Sequence, residues 1–146
     1  MIVLSNSAAE VIPAGGTVTF DRTVLHTGCD ANGCGGSEYH RQNSGAVRLR
    51  GKSRCCPSIF DVFFKGNVTT ATAGTDIQLA ITIDGTPLAE TTMIKTIGMA
   101  NSFKNMAAMT ALKVHPGKDV SLSVTNTGAV PVTVDANSAL YIRRIA

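Results

Sequence analysis

The sequence has few of the residues from which helices are usually built. Glu, Leu, Lys and Gln together supply 19 of its 146 residues, whereas Thr, Val and Ile (17, 13 and 10) supply 40. Straight-chain side chains lose little freedom in a helix, and β-branched side chains fit the pleated surface of a sheet. This composition argues against a helical bundle and favours an all-β fold.

Charged residues are also scarce, at 16% of the chain, while hydrophobic residues make up 44%. A disordered segment shows the opposite balance, because it has too little apolar surface to offset the entropy lost on folding. A domain of this length buries roughly two thirds of its unfolded surface and needs no disulfide to form a core. We therefore expect one folded domain over residues 10–146, preceded by an N-terminal arm over residues 1–9.

Long hydrophobic runs are missing, since none approaches the roughly 18 residues of a membrane span. The first ten residues have neither the basic start nor the apolar stretch of a signal peptide. The sequence therefore predicts no membrane insertion and no signal peptide. We expect the protein to stay in the cytoplasm or to leave it inside a particle.

Catalytic motifs are missing as well. The sequence has no Gly-x-Ser-x-Gly, His-Glu-x-x-His or phosphate-loop spacing. Nucleophilic catalysis needs a histidine beside a serine or cysteine, and glycoside cleavage needs paired carboxylates, but the chain has only three histidines and three glutamates. The sequence therefore favours a protein without enzymatic activity and without a cofactor.

Apolar and polar residues alternate between the turn signals of the chain. Residues 77–83 and 120–124 show this period of two, which predicts strands with one buried side. Asp84-Gly85 is typical of a tight hairpin turn with positive φ at both residues, and Pro87 confines the strand that follows to a sheet edge. With about eight to ten short strands and no helices to cover a sheet, the chain is predicted to form an antiparallel β-sandwich.

One stretch departs from this pattern. Between Met99 and Met109, apolar residues lie three or four positions apart, as on one face of a helix. Residues 112–114, however, lead into the turn signal at residues 115–118, as a strand that enters a hairpin does. We predict a strand from about Met106 to Val114 after a loop, and we interpret the methionines as core filler.

Four cysteines lie within 28 positions: Cys29, Cys34, Cys55 and Cys56. Three of them, Cys29, Cys34 and Cys55, could bind zinc together with His40, but they lack the closely paired spacing of structural zinc sites. Disulfides such as Cys29 to Cys34 would instead pin a Gly-rich loop that has little apolar material. The sequence leaves zinc, disulfides and free thiols open, and it favours disulfides over a metal.

Basic residues concentrate in one segment. Six of the thirteen lie between His40 and Lys65 with a single acid, so this segment carries +5 and the rest of the chain −2. Four of them lie two positions apart, which would place them on one face of a strand: Arg48, Arg50, Lys52 and Arg54. The pattern predicts either a solvated face or a docking surface for an acidic partner, such as a capsid protein, a teichoic acid or another polyanion. Nucleic acid is disfavoured because no aromatic residues are interleaved for base stacking.

Several stretches of strand and turn, in this order, resemble a known family. They are residues 12–21 (IPAGGTVTFD), 45–51 (GAVRLRG), 60–64 (FDVFF), 78–87 (QLAITIDGTP), 111–122 (ALKVHPGKDVSL) and 140–145 (LYIRRI). The sequence is similar there to the jelly rolls of complement globular heads and tumour necrosis factor-like ligands. In particular it resembles the head domains of bacterial exosporium collagen-like glycoproteins and similar modules of bacteriophage particles.

The resemblance implies a homotrimeric jelly roll for surface display, assembly or receptor contact, without catalysis. Family members often hang from a stalk, whereas only about eight residues precede the first strand predicted here. The resemblance therefore implies a bacteriophage virion component, a capsid decoration or a fibre or tail head, with a capsid or other surface-assembly protein as partner. The alternative is a head on a bacterial spore or cell surface, or a secreted one, that binds a receptor or host glycan.

The resemblance also bears on the aromatic residues. Phe63 and Phe64 are neighbours, so in a strand one faces the core and the other must be covered from outside. In the family, apolar and aromatic side chains line the trimer axis. The pair therefore suggests an interface, and on the resemblance we assign Phe64 and Tyr141 to the trimer interface, with a plain core placement as the alternative for either.

Overall fold

A computed structural model of the protein describes residues 1–27, 39–51 and 55–146. Within these residues the chain forms thirteen strands and a single-turn 3-10 helix, η1 (Ala89–Thr91). The strands are β1 (Ile2–Ser5), β2 (Glu10–Ile12), β3 (Arg22–His26), β4 (Tyr39–Arg41), β5 (Val47–Arg50), β6 (Ser58–Thr69), β7 (Thr75–Ile83), β8 (Thr86–Pro87), β9 (Met93–Ile97), β10 (Lys104–Val114), β11 (Asp119–Asn126), β12 (Val132–Val134) and β13 (Ala139–Arg144). No helix among the described residues has the length and apolar character needed to cross a membrane.

The strands form two antiparallel sheets. Sheet A has seven strands, in the order β2, β12, β6, β13, β1 and β3, with β10 paired to β6 along the whole of β10. Sheet B has six, in the order β4, β5, β11, β7 and β8, with β9 also paired to β7. Each sheet buries its apolar side against the other, which confirms the predicted β-sandwich.

The core consists of the inward-facing residues of both sheets. On β7, Ile77, Leu79 and Ile81 are fully buried, which confirms the predicted strand. Ala80 and Thr82 on its other side are each 1% exposed, so β7 is covered on both sides and the prediction of a single buried side is wrong there. Phe64 of β6 is fully buried as well, and its ring meets that of Phe20 edge to face with 6.3 Å between centroids. Aromatic rings in this arrangement bury much apolar area. The two sheets therefore enclose one continuous apolar core.

The predicted turns and edge strand are confirmed. Asp84 and Gly85 have φ of 49° and 81° between β7 and β8, as a primed hairpin turn requires. β8 lies at an edge of sheet B, where Pro87 is tolerated. β10 begins at Lys104, two residues before the predicted start at Met106, and continues to Val114 as predicted.

The methionines divide between the core and the surface. Met106 is 1% exposed and fills the core, but Met99 and Met109 are each 71% exposed. The core-filler prediction is therefore wrong for these two. In a strand only one side can face the core, and Met109 lies three positions from Met106, so it points the other way.

Residues 1–9, which we predicted to form an arm before the first strand, contain β1. This strand lies within sheet A between β13 and β3, and Ile2 and Leu4 belong to the core. Val3, on the other side of the strand, is only 7% exposed. The arm prediction is corrected accordingly, and its cause is physical. A strand covered on both sides appears as a continuous apolar run and shows no alternation.

Candidate functional site: an apolar row on sheet A

Apolar side chains cross the outward side of sheet A. In the register of the sheet, Met109 of β10 lies opposite Phe63 of β6, and Phe63 lies opposite Tyr141 of β13. Tyr141 lies opposite Val3 of β1, which lies opposite Leu25 of β3. Directly paired residues point to the same side of a sheet. We call these five residues the apolar row.

The row is open at its ends and shielded in its middle. Met109 is 71% exposed and Leu25 40% exposed, whereas Val3 is nearly buried. Phe63 and Tyr141 are half-buried, and their ring centroids are 5.8 Å apart. The row thus presents a preformed aromatic pair between two exposed apolar side chains.

Charged side chains lie on either side of the row. On one side, Arg143 of β13 donates a hydrogen bond to Asp61 of β6 at 3.1 Å, and the pair lines a shallow depression of about 250 Å³ next to the row. On the other side, the Nζ of Lys65 lies 5.7 Å from the centroid of the Tyr141 ring. An apolar centre with a polar rim is the usual anatomy of a protein–protein interface.

The edge of sheet A lies at one end of the row. β10 pairs with β6 on one side and, among the described residues, with no strand on the other. Ala107 and Ala111 lie two positions before and after Met109 and are exposed on the same side. Small side chains there allow another chain to approach the edge closely.

The two residues that we assigned to an interface lie in different places. Tyr141 belongs to the apolar row, but Phe64 is 0% exposed between the sheets, where no partner subunit could reach it. Its neighbour Phe63 is the outward-facing member of the pair. The assignment of Phe64 is therefore corrected: it is a core residue, and Phe63 is the member of the pair that another chain could reach.

A signal for this choice was present in the sequence. Phe60, Val62 and Phe64 form an unbroken apolar alternation, whereas Phe63 lies between Asp61 and Lys65 in the other register. Charged neighbours two positions away mark the side that faces water. Tyr141 was identified from the sequence, but Met109, Val3 and Leu25 were not, because the pairing of the row across five strands is a tertiary property.

The predicted basic patch is described in part, since Lys52 and Arg54 lie outside the described residues. Arg48 and Arg50 are exposed on β5 of sheet B. Both reach Asp119 of β11: the Nε of Arg50 is 3.0 Å from Oδ1, and the Nε of Arg48 is 3.8 Å from Oδ2. The hydrogen bond from Arg50 lowers the pKa of Asp119 below 3.8. One carboxylate thus holds two guanidinium groups and relieves part of their repulsion.

The cysteine cluster is also described only in part. Cys29 and Cys34 lie outside the described residues, and Cys55, Cys56 and His40 are exposed. Within residues 1–27, 39–51 and 55–146, no three His, Cys, Asp or Glu side chains are grouped to bind a metal. The disulfide and zinc assignments stay predictions.

No family model and no curated protein matches the sequence. Among solved structures, the Eiger tumour necrosis factor of S. frugiperda is 10% identical with a TM-score of 0.71, over 99% of this chain and 91% of its own. Murine APRIL at pH 5.0 is 12% identical with a TM-score of 0.67, over 99% and 98%. At pH 8.5 it gives 11% identity and a TM-score of 0.60, over 99% and 98%. These likenesses confirm the predicted jelly roll of the tumour necrosis factor type.

Proposed function

We propose that the protein is a non-enzymatic display or binding head that works as a homotrimer, with the apolar row of each copy covered by its neighbours. The observation that carries the proposal is the row itself. One side of an antiparallel sheet normally faces water and carries polar residues. Here that side carries an aromatic pair between exposed Met109 and Leu25, and an exposed apolar patch of this kind marks an interaction surface.

The layout of the row favours further copies of the same chain as its cover. Met109 and two alanines lie on the edge strand β10, while Phe63 and Tyr141 lie in the middle of the same sheet. The edge of one copy can therefore pack against the middle of the next. Such a contact joins two different patches, and it forms a closed ring when the rotation between copies closes. Three copies make the ring that the family resemblance implies.

The setting that we propose is a bacteriophage virion, where the head would decorate a capsid or form part of a fibre or tail. Support comes from the resemblance of the strand and turn pattern to virion modules. Mass spectrometry of purified virions should detect the chain. If the chain is absent from virions but is retained on whole bacterial cells or on a glycan array, the function becomes that of a bacterial surface head that binds a receptor or glycan.

The trimer is tested by light scattering on the purified protein. We expect a mass near three times the 15.2 kDa of one chain, and a monomer after Met109→Asp, because a carboxylate buried in an apolar contact without a partner is strongly unfavourable. Met109 is 71% exposed in the single chain, so this change should leave the fold intact. Circular dichroism checks that it does.

Ile94→Asp is the matched control. Ile94 is 56% exposed on β9 of sheet B, so the variant adds the same charge away from the row and should keep the wild-type mass. A wild-type mass near 15.2 kDa would overturn the trimer. A folded Met109→Asp variant that keeps the oligomeric mass would remove the apolar row from the interface.

A further inference from the structure

The unbalanced charge of the chain gathers at one end of the sandwich, which we call the base. There β6 and β11 begin and β5, β7, β10 and β13 end, as the pairs Val114 with Ser58, Asp119 with Arg50, and Arg144 with Phe60 show. The turn between β10 and β11 joins the two sheets at this end. The base therefore brings together residues from both sheets.

Basic residues outnumber acids at the base by two to one. The six basic residues are Arg48, Arg50, Lys113, Lys118, Arg143 and Arg144, and the three acids are Asp61, Asp84 and Asp119. The other described residues include five basic and five acidic side chains, and the two segments outside the description contain two of each. The excess of three positive charges at the base thus equals the net charge of +3 of the whole chain.

Arg48 and Arg50 of the base keep donors for a ligand. A guanidinium has five N–H donors in a planar fork. Arg50 gives Asp119 two contacts, at 3.0 and 3.4 Å, and Arg48 adds one at 3.8 Å. The two arginine side chains are 56% and 47% exposed. One carboxylate therefore positions two guanidinium groups side by side without using up their hydrogen-bonding capacity.

We propose that the base binds a phosphate-bearing anionic polymer. Guanidinium forks match phosphate oxygens in paired hydrogen bonds, and four of the six basic residues here are arginines. A polymer presents its charges at intervals, so it can contact Arg48 and Arg50 on β5 together with Lys118 in the turn before β11. Of the aromatic side chains near the base, Tyr39 and Phe60 are buried and offer no platform for nucleotide bases, and the test below separates nucleic acid from a phosphate polymer without bases.

This surface goes beyond the proposed head function, because it says which end attaches and which end is displayed. A rotation axis places the bases of all copies at the same level, so a ring would present them together. Only this presentation of several bases together rests on the proposed trimer; the binding by a single base does not. Several bases on one polymer bind more tightly than one, since the later contacts form within one complex.

Binding to long-chain polyphosphate at several salt concentrations tests the proposal. We expect the affinity of the wild-type protein to fall steeply with salt, as counterions released on binding compete for the polymer. The double variant Arg48→Gln with Lys118→Gln should bind about tenfold or more weakly, with a salt slope smaller by roughly two. The matched control Lys95→Gln with Lys104→Gln removes the same charge away from the base and should bind like the wild type.

The remaining outcomes decide against particular parts of the proposal. Equal losses in both double variants would show that net charge, and not the base, binds the polymer. Equal affinity for polyglutamate would replace the phosphate polymer by an acidic protein, and a preference for single-stranded DNA would replace it by nucleic acid.

The monomeric Met109→Asp variant separates this proposal from the trimer. In this variant the affinity for polyphosphate should be lower overall, but the substitutions in the base should still weaken binding more than the control substitutions do. If the wild type is itself a monomer and that difference persists, the trimer is overturned and the base stands. If the wild type is a trimer that ignores polyphosphate, the base proposal is overturned and the trimer stands.

Discussion

The outward sides of the two sheets differ, although both sheets come from the same alternating pattern. On sheet A the side that faces away from the core carries the apolar row. On sheet B the matching side carries hydroxyl groups: the Oγ1 of Thr82 on β7 lies 2.5 Å from the Oγ of Ser123 and 3.0 Å from the Oγ1 of Thr125, both on β11. One outward side is apolar and open, and the other completes its hydrogen bonds within itself.

The two sheets differ in which outward side chains the single chain leaves exposed. Thr82 is 1% exposed and Ser123 8% exposed, so the hydroxyls are shielded and bonded to one another. Farther along sheet B, Arg48 and Arg50 are exposed and balanced in part by Asp119. Sheet B also exposes Ile94, at 56%, but this residue lies opposite the polar Gln78. On sheet A, by contrast, the exposed Met109 and Leu25 belong to one row that contains an aromatic pair. Assembly is therefore expected through sheet A alone.

The largest expected effect compares two neighbours on opposite sides of β6. Phe64→Ala should lower the free energy of unfolding by about 3–5 kcal/mol, because it leaves a cavity between the sheets. Phe63→Ala should cost the single chain much less, since Phe63 is half-buried, but it should weaken the trimer. Urea unfolding measures the first effect, and light scattering over a dilution series measures the second.

Unfolding must be measured at concentrations where the chain is monomeric, since subunit contacts otherwise add to the apparent stability. Under that condition, equal losses for Phe63→Ala and Phe64→Ala would mean that the outward side of sheet A is covered by the chain itself. The contrast between the two sheets would then fail.

The Phe63–Phe64 pair also shows what the sequence could predict and what it could not. Alternation states that the two side chains point to opposite sides, and it located the strands at residues 77–83 and 120–124 correctly. The charged residues Asp61 and Lys65, two positions from Phe63, also indicate which of the two side chains faces water, and the choice of Phe64 for the interface failed because it did not use them. What the sequence does not state is which residues of distant strands lie beside Phe63, because that depends on how the strands pair.

The other errors concern which sides of a strand are covered. Met109 and Met106 read alike as apolar residues, yet one is exposed and the other buried, because they lie on opposite sides of β10. β1 does not show the period of two because both of its faces are buried: Ile2 and Leu4 lie in the core, and Val3 on the opposite face is 7% exposed. Local turn chemistry needs no such information, and Asp84-Gly85 was therefore predicted correctly from two residues.

A smaller effect is expected from Thr82→Val on the outward side of sheet B. Valine has a similar shape, but it leaves the hydroxyls of Ser123 and Thr125 without the oxygen that they share, so unfolding should become easier by about 1–3 kcal/mol. The oligomeric mass should not change. Thermal unfolding and light scattering on the same sample measure both quantities.

Thr96→Val is the control for this change. Thr96 also bonds through its hydroxyl, to Asp76 at 2.6 Å, but on the exposed surface of sheet B, so its loss should cost under about 0.5 kcal/mol. If the two substitutions lower the free energy of unfolding equally, the hydroxyl cluster contributes no more to stability than a surface hydrogen bond does. If Thr82→Val changes the mass, assembly is not confined to sheet A.

The smallest effect concerns Asp119 and its dependence on pH. Its pKa is lowered from 3.8, first by the hydrogen bond from Arg50, so the folded state favours the charged carboxylate more than the unfolded state does. The resulting stabilisation is therefore present above the unfolded pKa and is lost as the pH falls through the lower folded value. Asp119→Asn should slightly lower the Tm at pH 7, and the difference from the wild type should shrink below pH 3.8. It should also shrink at high salt, because the pair is exposed and screened. A difference in Tm that stays constant down to pH 2 would show that packing, and not the charge of the carboxylate, connects β11 to the arginines of β5.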